Sequence, residues 1–129
     1  MYSDVILKEF EWHLRDLFFK SNKNNNLDFK VNFRKDEIVN SLIKNYLRYR
    51  NSDSDEIANL LNIVLENMQR NNVLRVMDNE IIKISSKFNR KQCIKCFYIN
   101  YLSLNEPIRC HRCNSDNLQE FPKRKAINN

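Results

Sequence analysis

Cys93-Ile94-Lys95-Cys96 and, thirteen residues later, Cys110-His111-Arg112-Cys113 contain every cysteine of the chain. A CxxC segment bends so that both sulfurs face one centre. Two such bends on a short hairpin present four thiolates at tetrahedral geometry, which suits zinc. Four protein ligands leave no open coordination position, so the expectation is one structural Zn2+ held by Cys93, Cys96, Cys110 and Cys113. Two disulfides are the competing reading. The pairs are spaced like ligands and nothing marks the chain as secreted, so the metal is preferred. Iron is a second choice of ion. His111 is able to replace a sulfur but is expected to point outward.

A metal module of some thirty residues buries too little apolar surface to fold alone, and the ion would supply on the order of 10 kcal/mol. The other residues must build a conventional core, and 129 residues suffice for one. No signal peptide and no long apolar run is apparent, which predicts an intracellular protein without a membrane partner, cytoplasmic in a prokaryote or virus and nuclear in a eukaryote. Glycine is absent while asparagine is abundant. Asparagine is the next-best residue at left-handed backbone positions, so it can serve the turns. Its abundance, with that of Lys and Ile, also reflects AT-rich coding.

Upstream of the cysteines, residues 4–20 read as an amphipathic helix capped by Ser3 or Asp4, with Val5, Ile6, Phe10, His13, Leu14, Leu17 and Phe18 on its apolar face. Trp12 and Phe19 widen that stripe and predict cover on more than one side. His13 is expected as a satisfied boundary residue. After the polar run Ser21–Asn26, alternation of Leu27, Phe29, Val31 and Phe33 with polar residues predicts a strand. A second helix opens at Asp36 and Glu37, carries Ile38, Val39, Leu42, Ile43, Tyr46 and Leu47 inward, and closes at Arg48–Arg50. A third, capped by Asp53 or Ser54, carries the stripe Ile57, Leu60, Leu61, Val64, Leu65 and Met68 to about Arg70, with Asn71-Asn72 as its C-cap. Two β-branched runs, 73–77 and 80–84, flank Asp78-Asn79 and predict a hairpin.

Helix, strand, helix, helix, strand, strand is the order of a winged helix. The expected fold class is therefore α+β: a winged-helix-like domain over 1–85, a basic linker over 86–92, a zinc ribbon over 93–121 and a basic tail over 122–129. An unrelated small α+β domain is the alternative.

Charge is distributed unevenly. Residues 1–85 carry 13 Lys/Arg and 13 Asp/Glu, whereas residues 86–129 carry 9 and 3, so the whole excess of +6 lies on the metal module and its flanks. That asymmetry predicts a polyanionic partner, DNA ahead of RNA. The candidate nucleic-acid contacts are Lys87, Arg90, Lys91, Lys95, Arg109, Arg112, Lys123, Arg124 and Lys125. Tyr98 and Tyr101 either offer stacking faces or form the module's small core. The third helix is a poor groove reader, because its N-terminal end, where such helices approach the bases, carries Asp53, Asp55 and Glu56. Capping explains those carboxylates better than a catalytic or Mg2+ site does. No catalytic set is recognised, so neither an enzyme nor a small-molecule substrate is expected.

A zinc ribbon after a winged helix resembles the archaeal transcription factor E alpha subunit and its eukaryotic counterpart, in the order of the modules and the Cys93, Cys96, Cys110, Cys113 pattern. Where those ribbons usually carry Gly after a knuckle, this chain has Phe97 and Asn114, and Ser85–Gln92 is shorter than their helical linker. The resemblance implies a protein that binds RNA polymerase and assists DNA opening, with the winged helix used mainly for protein contacts. The leading expectation is a non-enzymatic, nucleic-acid-associated transcription factor or regulator. A structural subunit of a ribosome, polymerase or other machine is the alternative, and a viral or plasmid regulator that inhibits a host enzyme is the third.

Overall fold

Ser3 starts the first helix: its hydroxyl accepts from the Ile6 amide at 3.3 Å, and Asp4 follows in the positively polarised first turn. In this computed structural model, which describes residues 2–23 and 29–122, helix α1 runs Asp4–Asn22. Phe10, Leu14, Leu17 and Phe18 on its apolar face are buried. Strand β1 (Asn32–Arg34) leads into α2 (Lys35–Asn45), a 3-10 turn (Leu47–Tyr49), α3 (Ser54–Arg70) and the hairpin β2 (Leu74–Met77) and β3 (Ile81–Ile84). A second sheet follows, from β4 (Asn89–Cys93), β5 (Ile99–Leu102) and β6 (Leu118–Glu120). The architecture is thus α+β, with three α-helices and two small antiparallel sheets among the described residues.

Asparagine and aspartate do the work of the missing glycines. Asp53 caps α3, its carboxylate accepting from the Asp55 amide at 3.1 Å. The helix ends where Asn72 takes φ 60°, so that the Asn72 amide reaches the Gln69 carbonyl and the Val73 amide reaches that of Met68, both at 3.1 Å. Asp78 and Asn79 turn the hairpin at φ 52° and 56°. All six apolar residues of the α3 stripe are buried. The first sheet has the order β1-β3-β2, and its register places both Phe33 and Val76 opposite Ile82.

Three expectations shift. The early strand is shorter and later than 27–33: Phe29 and Val31 only lean on the core, Phe33 points inward, and Leu27 and Asp28 lie outside the described residues, as do Asn24 to Asn26 of the polar run. The second helix stops at Asn45 rather than Arg50. Tyr46 is extended there (φ −120°, ψ 119°), which lets its hydroxyl donate to the Asp16 carboxylate at 2.7 Å and turns Tyr49 against Phe10 and His13. Leu47, expected inside, is 76 % exposed as a result. Most important, residues 86–92 are no free linker. Phe88 is 1 % exposed and stacks on Phe18 at 5.7 Å, and residues 89–93 form the central strand of the second sheet, in the order β5-β4-β6. One aromatic in a basic run gains more from the core than the run gains from water.

No helix among the described residues is long and apolar enough to cross a membrane. His13 sits half-buried, with Nδ1 2.9 Å from both the Glu9 carbonyl and the Tyr49 hydroxyl.

Phe88→Ala should cost about 3–4 kcal/mol in a denaturant titration, because a buried ring is lost. A free linker would lose less than about 0.5 kcal/mol. Burial holds the His13 imidazole below its ordinary value. Its stabilising contribution is therefore present above about pH 6.5 and lost as pH falls through the lower folded value. His13→Gln should flatten the pH dependence of unfolding just below pH 6.5, and an unaltered slope there would contradict this.

Candidate metal centre

The two cysteine knuckles fold as near repeats. In the first, the Cys93 amide donates to the Tyr98 carbonyl at 2.9 Å and the Phe97 amide to the Cys93 carbonyl at 2.9 Å. In the second, the Cys110 amide donates to the Ser115 carbonyl at 2.8 Å and the Asn114 amide to the Cys110 carbonyl at 2.9 Å. Each knuckle closes on a left-handed residue, Phe97 at φ 66° and Asn114 at φ 64°. Asparagine tolerates that backbone, whereas a bulky residue there costs about 1–2 kcal/mol.

The closures bring the four sulfurs within 4.8 Å of one another, with Cys93–Cys113 and Cys96–Cys110 both at 3.5 Å. A disulfide needs about 2.05 Å, so all four thiols are free. A regular tetrahedron with metal–sulfur arms of about 2.3 Å has edges of about 3.8 Å. The cluster is compatible with one structural ion on that measure. Backbone amides also aim at sulfur, Cys96 at Cys93 Sγ (3.5 Å) and Arg112 at Cys110 Sγ (3.4 Å). Burial would raise the Cys110 thiol, but the Cys113 and Arg112 amides outweigh it and bring it to about 6. At Cys96 the Tyr98 amide pulls down, while burial and the neighbouring sulfurs push the thiol up to about 12. Four thiolates this close would need a cation among them. His111 is not a member of the cluster; its Nε2 lies 3.7 Å from Glu106 Oε2.

Side chains that the sequence pattern left unassigned fix this centre to α1. Arg15 is 3 % exposed. It grips Glu106, in the loop between β5 and the second knuckle, by two bonds of 2.7 and 2.8 Å, and also donates to the Tyr101 carbonyl (2.7 Å) and to Glu11 (2.9 Å). Glu106 accepts in addition from the Ser103 amide. Asp16, buried beside Arg15, accepts from the hydroxyls of Tyr101 (2.5 Å) and Tyr46. Burial works against both carboxylates, yet the Tyr101, Tyr46 and Lys20 donors hold Asp16 below the usual range, and Arg15 does the same for Glu106. The indole of Trp12 donates to the Ile99 carbonyl at 2.8 Å, and the Phe19 ring lies 5.3 Å from that of Tyr101. Trp12 and Phe19 thus carry the second covered side of α1. Asn100 is buried on β5 and accepts from the His111 amide at 2.8 Å, which pins the second knuckle. A composition signal existed only for Trp12 and Phe19; Arg15, Asp16 and Asn100 look like surface residues in a pattern.

Among the described residues, the expected nucleic-acid contacts do not form one patch. Arg109 and Arg112 are exposed and line a cleft of about 440 Å³ with Tyr98, His111 and, from α1, Lys8, which sequence reasoning missed. Lys95 is exposed on the tip of the first knuckle. Lys87 and Lys91 are half-buried. Arg90 serves structure: its guanidinium sits 4.8 Å from the Phe19 ring and 5.2 Å from that of Phe121, and its Nε donates to the Phe121 carbonyl at 3.1 Å. Lys123, Arg124 and Lys125 lie outside the described residues. Tyr101 is core, 3 % exposed, while Tyr98 is half-buried at the cleft.

No family model, curated protein or solved structure matches the chain.

Glu106→Ala should destabilise the protein by about 3 kcal/mol, because it leaves Arg15 buried without its bidentate partner. The double variant Arg15→Met/Glu106→Leu should lose less than the sum of the singles, and additive losses would argue against the pair. A chelator, or Cys110→Ser, should lower the melting temperature and expose the remaining thiols to alkylation.

Proposed function

We propose that this chain is a non-enzymatic nucleic-acid-binding protein acting in transcription, built as a winged helix with a zinc ribbon fixed to its first helix. The element order and the β1-β3-β2 sheet support the winged helix. The all-thiolate donor set supports zinc, bound by Cys93, Cys96, Cys110 and Cys113, which would neutralise the sulfurs and fold the ribbon. The single observation that carries the reading is the concentration of exposed cations, Lys95, Arg109 and Arg112, around that centre, in a segment that holds the chain's entire charge excess. Exposed cations on a rigid frame make phosphate contacts, which fix position without reading sequence. The partner is DNA ahead of RNA, and RNA polymerase or a related complex would meet the winged helix.

The α3 terminus fits that division of labour. Asp53, Asp55 and Glu56 would meet phosphates if α3 lay in a groove, so the helix suits a protein surface better. A second reading, a structural subunit of a larger assembly that uses the winged helix for protein contacts, is favoured by the exposed apolar side chains Val5 and Leu47, 75 % and 76 % exposed.

Anisotropy titrations against salt test the leading reading. Binding should weaken steeply as salt rises, and Lys95→Glu, Arg109→Glu and Arg112→Glu should each lower the slope by about one while weakening all sequences alike. Arg90→Glu should instead cost stability. A wild-type protein without salt-sensitive binding to DNA or RNA would contradict the proposal.

A further inference from the structure

The two knuckles differ at the residue on which each closes. Both close on a left-handed residue, but one uses Asn114, which that backbone suits, and the other uses Phe97, which it does not. Packing does not explain the choice, because Phe97 is 69 % exposed. Nor does its hydrogen bonding: the Phe97 amide donates to the Cys93 carbonyl and its carbonyl accepts from Gln92 Nε2, which any residue would do. A strained, exposed aromatic that the fold does not need points to something outside the fold.

The surroundings say what. The two knuckle segments, 93–98 and 109–114, contain Lys95, Arg109 and Arg112 and no carboxylate. The sulfurs of Cys96 and Cys110 are 3.5 Å apart, so the tips that carry these residues flank one centre. Tyr98, next to Phe97, lines the cleft with Arg109 and Arg112. A phenyl ring has no hydrogen-bonding atom, so it gains nothing from a phosphate or a base edge. It gains from the face of a base, and a paired duplex keeps those faces stacked on each other. Cations for the backbone beside an aromatic for the bases is the arrangement that single strands recognise.

We propose that the metal-knuckle tip is a single-strand binding site, in which the Phe97 ring stacks on an unpaired base while Lys95, Arg109 and Arg112 hold the flanking phosphates. This rests on the nucleic-acid reading above and narrows it from polyanion to unpaired strand.

The test uses the full metal-loaded chain, an oligothymidylate and a duplex of equal length. Phe97→Asn gives the first knuckle the residue the second already uses, so metal content and melting temperature should be kept or slightly raised. Its affinity for the oligothymidylate should fall about tenfold while duplex affinity is unchanged. Phe97→Leu, apolar but not aromatic, should lose affinity likewise, and Phe97→Tyr should retain it. Single-strand affinity unchanged in Phe97→Asn would overturn the proposal and assign the ring to a protein partner, while leaving salt-sensitive binding intact. Equal losses on single strand and duplex would overturn it too, as a wedge into paired DNA. Wild-type protein that binds neither probe would fell the nucleic-acid reading itself.

Discussion

Four thiol sulfurs gathered within 4.8 Å cannot all become thiolates by themselves. Burial and the neighbouring sulfurs push the Cys96 thiol up to about 12, whereas backbone amides aimed at Cys110 bring that thiol down to about 6. A divalent ion removes the conflict by sharing all four charges. The second sheet would share in that stabilisation: β4 ends in Cys93, and β6 follows the second knuckle. An ion there would add to what three short strands and their contacts with α1 supply against the ordering entropy of about thirty residues.

The second sheet does not stand alone. Arg15, Asp16 and Trp12 reach from one side of α1 to the backbone and side chains of Ile99, Tyr101 and Glu106, while Phe10, Leu14 and Phe18 on the same helix line the first core. One helix therefore belongs to both halves. Phe88 seals the seam by joining the first core just before β4 begins. The consequence for function is geometric: Lys8 on α1 and Arg109 and Arg112 on the second knuckle line one cleft because the junction is built from buried, directional contacts.

Helix α3 was legible almost to the residue, because a 3.6-residue apolar stripe, an acidic cap and Asn72 all agreed. The hairpin was legible for the same reason: Asp78-Asn79 is a turn signal between β-branched runs. The gathering of the four cysteines was legible from spacing. The end of α2 was not, because Tyr46 leaves the helix to meet Asp16, a contact between residues thirty apart in sequence. The packing of 86–92 was not legible because six polar and basic residues surround one Phe88. Arg15 and Asp16 were invisible because a helix pattern assumes that charges face water, and here a second apolar side covers them. Tertiary partners decided each of these, and no local signal carries them.

Cobalt titration of the metal-free protein, followed by visible absorption, tests the central claim most directly. Tetrahedral Co2+ with four thiolates absorbs far more strongly than octahedral or oxygen-ligated cobalt. The account predicts that an intense tetrahedral, thiolate charge-transfer spectrum saturates at one ion per chain and is bleached by one equivalent of Zn2+, with the second sheet gaining its amide protection at the same endpoint. A weak octahedral spectrum, saturation at another stoichiometry, or a second sheet equally protected before any metal is added would contradict it.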